Sequence, residues 1–212
     1  MIEPFPPTES ALEDPNGLLA VGGDLSAERL LRAYERGIFP WYEEGDPILW
    51  WTPDPRAVLF PSALHVSRSL RRFLTKCDWT VSVNRCFEDV VAACAELTDE
   101  RSATWISSDI AMAYSNLHRM GYAQSIEVFD GEELVGGLYG VTLGRVFFGE
   151  SMFSRRANAS KVALHYLCSQ APFPDLELID CQMPNQHLES LGMTLIPRLE
   201  FEKLLQEFLD LN

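Results

Sequence analysis

Residues 124–151 read QSIEVFDGEELVGGLYGVTLGRVFFGES, and this stretch decides the fold. Gln124 to Phe129 carries β-branched and aromatic residues with a period close to two, the mark of a strand. Asp130-Gly131 then supplies the turn chemistry of a tight hairpin, because both central positions of such a turn favour residues that tolerate positive φ. Leu134 to Val141 and Arg145 to Phe148, joined around Gly144, extend the pattern into an antiparallel meander. Downstream, Asn158 to Gln170 has the spacing of a helix and Leu176 to Asp180 that of a short buried strand. A strand, a helix and a strand in that order form a βαβ unit, so the two strands should be parallel neighbours. Their ends then lie side by side, and Gly149-Glu150-Ser151 and Asp180-Cys181-Gln182 face one cleft.

Upstream of the meander the rhythm is mixed. Ser67 caps a short helix from Arg68 to Thr75, and Trp79 to Val83 alternates as a strand. Asn84 is expected to cap a helix reaching about Leu97, and another helix runs from Ser108 to Met120 before Gly121. Two elements close the chain, short helical material from Asn185 to Leu191 and an amphipathic helix from Leu199 to Leu209. The first 60 residues differ. Their clear helix is Ala27 to Arg36, between the cap Ser26 and the stop Gly37. The proline- and tryptophan-rich run from Ile38 to Arg56 predicts a rigid loop without regular structure.

The chain has 212 residues, 47% hydrophobic and 23% charged, enough for a substantial core without disulfides or a structural metal. Its start has neither a basic leader nor an apolar run, and no stretch is long enough for a membrane span, so a cytoplasmic protein is expected. Five cysteines, an odd number with no C-x-x-C, read as free thiols in a reducing compartment. Seventeen basic residues stand against 31 acidic ones, for a net charge of −14. That balance opposes diffuse adhesion to nucleic acid and suits a cationic substrate. Arg68, Arg72 and Lys76 recur at four-residue spacing and form a local basic face that can track phosphates or simply be solvated.

The chemistry-bearing residues admit more than one reading. Gly149-Glu150-Ser151-Met152-Phe153 begins like a hydrolase nucleophile elbow, but Phe153 stands where that strained turn needs glycine. Glu150 is either turn chemistry or a cleft carboxylate awaiting a cation. Asp180 and Gln182, two residues apart on an extended strand, should project to one side and can orient an amine or stabilise an oxyanion. A satisfied turn is the plain alternative. Trp41, Trp50 and Trp51 are either core plugs or stacking platforms for bases. His65, His118, His165 and His187 show no ligand spacing, and no metal site is expected.

Nine strings taken in order resemble the leucyl/phenylalanyl-tRNA–protein transferase family. They are Asn16-Gly17-Leu18-Leu19-Ala20, Gly22-Gly23-Asp24-Leu25-Ser26, Arg36-Gly37-Ile38-Phe39-Pro40-Trp41, Trp51-Thr52-Pro53-Asp54-Pro55-Arg56, Thr104-Trp105-Ile106, Ser125-Ile126-Glu127-Val128, Gly149 to Ser154, Asn158-Ala159-Ser160-Lys161 and Leu178 to Gln182. The resemblance implies an α+β protein, with a small family-specific domain over residues 1–60 and an N-acetyltransferase-like (GNAT) mixed-sheet domain over 61–212. It implies transfer of leucine or phenylalanine, and less readily methionine, from aminoacyl-tRNA to proteins beginning with arginine or lysine. Such transfer marks them for N-end-rule degradation, and it needs no cofactor and no metal.

By the same resemblance Asp180 and Gln182 are a catalytic pair, and Glu150 is an acid at the aminoacyl or acceptor site beside Ser151. Phe147, Leu138 and Leu167 line the side-chain pocket, with Leu167 standing where the family pattern has phenylalanine. Trp41, Trp105 and Tyr34 fall near the terminal adenosine of the tRNA. Two rivals remain at this stage. A CoA-dependent N-acetyltransferase would need glycines where Arg155-Arg156-Ala157-Asn158 opens the helix. The other is a silent tRNA-binding module.

Overall fold

A computed structural model describes residues 4–97, 104–169, 173 and 175–209 of the chain. Two sheets organise it. The smaller is built from β1 (Leu18–Val21), β2 (Phe39–Pro40) and β3 (Leu49–Trp51), with β3 in the middle and both pairings antiparallel. This corrects the expectation of a loop without regular structure. Pro40 is accommodated because β2 is an edge strand, where a missing N–H costs no ladder bond. Helix α1 (Ala27–Tyr34) joins β1 to β2. Ser26 accepts from the Arg29 N–H at its start, and Gly37, at φ 68°, closes its far end.

The larger sheet has seven strands in the order β10-β4-β9-β8-β7-β6-β5. In chain order these are β4 (Arg56–Leu59), β5 (Thr80–Val83), β6 (Ala123–Asp130), β7 (Glu133–Leu143), β8 (Val146–Ser154), β9 (Leu178–Gln182) and β10 (Thr194–Ile196). Strand β4 begins before residue 60, so the larger sheet takes up the chain from Arg56. The hairpin at Asp130-Gly131 is present, and Gly131 has φ 61°. Every pairing is antiparallel except β8 with β9. Helix α5 (Ala159–Ser169) makes the crossover between them, as the βαβ reading requires; Gln170, its expected last residue, lies outside the described residues.

Period-two alternation in β7 and β8 sends neighbours to opposite faces. Leu138 and Phe147 join one core with Val162, Leu164 and Leu167 of α5. Helix α2 (Arg68–Leu74) contributes Leu70 to that core, and the short α6 (Gln186–Glu189) packs Leu188 against it. Tyr139 and Phe148 join the other, with α3 (Phe87–Ala95), α4 (Ser108–Arg119), α1 and α7 (Arg198–Phe208). Gly136 lets α5 lie close on β7, since a Cβ there would overlap the Ala159 methyl. One cap differs from expectation. Asn84 has φ 59° and its side chain accepts from the Ser125 N–H, so it closes the β5 end, and Cys86 is the residue before α3.

The β8–β9 ladder spans three pairs, Val146↔Leu178, Phe147↔Ile179 and Phe148↔Asp180. Beyond them each strand is bulged. Tyr139 pairs Ser151 while Gly140 pairs Gly149, leaving Glu150 as the extra residue on β8. Ala57 pairs Gln182 while Val58 pairs Asp180, leaving Cys181 extra on β9. Bulges bend and twist a strand and re-aim a side chain. The two strands are therefore hydrogen-bonded at one end, each carries its extra residue at the other, and a cavity opens there.

Candidate active site

The cavity measures about 250 Å³. Leu138, Phe147, Leu164, Leu167 and Ile179 give it an apolar wall, Met152, Met183 and Leu188 add flexible cover, and Glu150, Ser151, Asp180 and Gln182 also border it. The structure therefore brings together Leu138, Phe147, Leu167, Glu150, Ser151, Asp180 and Gln182. The sequence reading missed Met152, Leu164 and Ile179, which look there like ordinary core residues.

Glu150 is 8% exposed and its carboxylate is held on both oxygens. The Tyr34 hydroxyl donates to Oε1 at 2.7 Å and the Tyr114 hydroxyl to Oε2 at 2.8 Å. The Gln182 amide donates to Oε1 at 3.1 Å, and the two tyrosine hydroxyls also bond to each other. Burial pushes the Glu150 carboxyl up to about 7; the tyrosine hydrogen bonds oppose that rise, the nearby Asp180 charge adds to it, and Gln182 opposes it. Burial and then the Glu150 charge hold Tyr34 and Tyr114 well above the ordinary phenol range, so both remain donors.

Tyr34 is fully buried, and α1 delivers its hydroxyl to Glu150. Tyr114, on α4, went unremarked in the sequence because an aromatic within a helix reads as packing.

Asp180 and Gln182 do not sit on a regular extended strand. The bulge at Cys181 and a left-handed Gln182, φ 64°, break the alternation. The fully buried Asp180 carboxylate faces Arg56. Arg56 Nε donates to Oδ1 at 2.8 Å and Nη2 to Oδ2 at 2.7 Å. Oδ1 also accepts from the Gln182 backbone N–H at 2.9 Å. Asp180 thus holds Gln182 by its main chain, while the Gln182 side chain is free to reach Glu150.

No enzyme nucleophile emerges from these residues. Strand β8 continues past Ser151 to Ser154, so the sharp strand-to-helix turn of a nucleophile elbow is absent there. Burial, reinforced by Asp180, pushes the Cys181 thiol far up and keeps it protonated. Among the described residues no group of histidine, cysteine, aspartate and glutamate could hold a metal ion.

Trp41 and Trp105 share a second groove of about 670 Å³ with Tyr42, Glu43, Glu44 and Trp51. Trp41 is 42% exposed and meets Trp51 edge to face, whereas Trp50 is wholly core. Arg68, Arg71, Arg72 and Lys76 are exposed and make no ion pair among the described residues. Lys76 lies beyond the Thr75 cap, so the expected helical face is shared by Arg68 and Arg72 alone. The turn before α5 carries no glycine, and its Arg155 and Arg156 are tied to Glu96, Asp130 and Glu133. No helix among the described residues is long and apolar enough to cross a membrane.

Residues 58–206 match the model of the leucyl/phenylalanyl-tRNA protein transferase family, and residues 23–54 match the model of that family's N-terminal domain. A relative from Azotobacter vinelandii, named leucyl/phenylalanyl-tRNA–protein transferase, is 56% identical over 207 residues, 98% of this chain and 92% of its own. One of the same name from Shewanella baltica is 55% identical over 97% of this chain and 86% of its own. Among solved structures, a GCN5-related N-acetyltransferase from Kribbella flavida is similar at 12% identity and a TM-score of 0.42, over 79% of this chain and 59% of that one. An α+β protein with an apolar acyl-sized cleft and these relatives is an aminoacyltransferase. The chain belongs to the leucyl/phenylalanyl-tRNA protein transferase family.

Proposed function

We propose that the protein moves leucine or phenylalanine, and less readily methionine, from aminoacyl-tRNA to the N-terminal arginine or lysine of acceptor proteins in the cytoplasm, marking them for N-end-rule degradation. The observation that carries this reading is the apolar cavity bordered by Glu150 and Gln182. An aminoacyl ester is already activated. It needs its side chain gripped, its carbonyl aligned and a neutral amine brought against it, with much of the rate coming from position.

The wall of Leu138, Phe147 and Leu167 takes the apolar side chain, each buried methylene contributing about 0.8 kcal/mol. Ser151 borders the same pocket on the aminoacyl side. Glu150 attracts the incoming ammonium, and a carboxyl near 7 is suited to accept its proton. Gln182 orients the amine, and Asp180 holds Gln182 from behind. The nitrogen then bonds to the ester carbon, the ester C–O bond breaks, and the terminal ribose oxygen leaves with a proton. Trp41 and Trp105 serve as platforms for the terminal adenosine. Arg68, Arg72 and Lys76 meet phosphates of the tRNA, a positioning contact that reads no sequence. No cofactor or metal enters any step.

The test is direct. Purified protein is mixed with radiolabelled Leu-tRNA, Phe-tRNA or Met-tRNA and with peptides beginning in Arg, Lys or Glu. Label should pass to the Arg and Lys peptides, fastest from Leu and Phe. Absence of label on the Arg peptide, with intact charged tRNA present, sinks the reading.

A further inference from the structure

We infer that Arg56 is a positioning residue for the transfer, acting through Asp180 to hold Gln182 in its left-handed turn against Glu150. The inference rests on the aminoacyl-transfer reading above and changes the part Asp180 plays in it.

Arg56 is 1% exposed and every face of its guanidinium is occupied. Nε and Nη2 fork onto the two Asp180 oxygens, and Nη1 donates to the Gly37 carbonyl at 2.9 Å. The Phe39 and Phe201 rings lie 4.9 and 4.6 Å from its centre. One side chain on β4 therefore ties together β9, the end of α1, β2 and α7. A planar fork of this kind fixes angle as well as distance, which a lysine cannot do.

The link to the cavity is continuous. Both Asp180 oxygens are spent on Arg56, and Oδ1 also takes the Gln182 N–H. A carboxylate so placed, with no exposed surface, has no room for an attacking amine. What it does is fix the backbone of a non-glycine residue at φ 64°, a conformation that side chains rarely adopt without outside support. That backbone in turn aims the Gln182 amide at Glu150. The group Asp180 must supply is an acceptor for one N–H; its charge serves Arg56.

Two double variants separate these roles, because each removes the buried charge pair whole and leaves neither partner stranded. Arg56→Met with Asp180→Asn keeps an oxygen for the Gln182 N–H. Arg56→Met with Asp180→Leu removes it. Single-turnover transfer from Leu-tRNA to an Arg-starting peptide is measured for both, with thermal melting to confirm the fold and wild type alongside to establish the activity itself. The Asn-containing variant keeps the acceptor but lacks the Arg56 fork and should fall about tenfold below wild type; transfer at the wild-type rate would show that Arg56 positions nothing and would overturn the inference. The Leu-containing one should fall about a hundredfold or more, with an unchanged KM for the aminoacyl-tRNA, as expected for a displacement of the order of an ångström.

Equal and near-complete loss in both folded variants would mean that the Asp180 charge itself takes part, and would overturn the inference. Equal activity in both would mean that Gln182 needs no holding, and would overturn it too. If the Leu-containing variant does not fold, Arg56→Met with Asp180→Ala takes its place and the same comparison decides. A wild type that transfers nothing indicts the aminoacyl-transfer reading instead.

Discussion

Glu150→Gln is the most informative single change, because its effect on stability has a sign and a window set by the structure. The Glu150 carboxyl rises from an ordinary 4.5 to about 7 in the folded protein, chiefly through burial. Below the lower value both folded and unfolded chains carry the proton. Between the two, the unfolded chain has released it and the folded one has not, so stability falls as pH rises. Above the upper value both are ionised and the loss is complete. At ~1.4 kcal/mol per tenfold, the native protein should lose roughly 3 kcal/mol across this window through Glu150 alone.

Glutamine has no proton to lose and offers polar atoms of similar shape to Tyr34, Tyr114 and Gln182. Its stability curve should lack that descent, so the gap between variant and wild type should widen by roughly 3 kcal/mol from about pH 4.5 to about pH 8. Urea unfolding at a series of pH values, followed by tryptophan fluorescence, measures it. Parallel curves for the two proteins would refute the account of Glu150 as a buried acid near neutrality. In the transfer assay, the acid limb of wild-type kcat/KM near pH 7 should vanish in the same variant.

Other expectations follow from the same coordinates. Leu167→Ala, at a residue 2% exposed in the cavity wall, should cost about 2–5 kcal/mol of stability and raise the KM for Leu-tRNA more than that for Phe-tRNA, read by denaturation and steady-state kinetics. Trp41→Ala should weaken aminoacyl-tRNA binding by about 1–3 kcal/mol while leaving single-turnover transfer at saturation close to wild type. Replacing Arg68 and Arg72 together by glutamine should weaken tRNA binding evenly across tRNA sequences and lower the salt slope by about one to two, measured by filter binding at several ionic strengths.

The parts of the fold legible in the sequence are those with a local cause. The Asp130-Gly131 hairpin, the β8-α5-β9 crossover and the Ser26 and Ser67 caps each rest on residues a few places apart, and each is present. The three-stranded sheet of the first 60 residues was hidden by its prolines, which suppress strand signals even where an edge position tolerates them. The Arg56–Asp180 pair joins residues 124 positions apart, beyond the reach of any periodicity. Tyr114 and Arg56 read in isolation as a packed aromatic and the tail of a proline motif. Only the closed sheet shows that one grips Glu150 and the other grips Asp180.

The paired bulges at Glu150 and Cys181 have a consequence for how the chain tolerates change in length. Each strand is one residue too long for its neighbour at the point where the cavity begins. Losing either residue would straighten the strand and remove the twist that turns its side chains where the cavity begins, while the pairs on either side keep their register. Shortening by a single amino acid there should disturb the cleft while the rest of the sheet keeps its pairing.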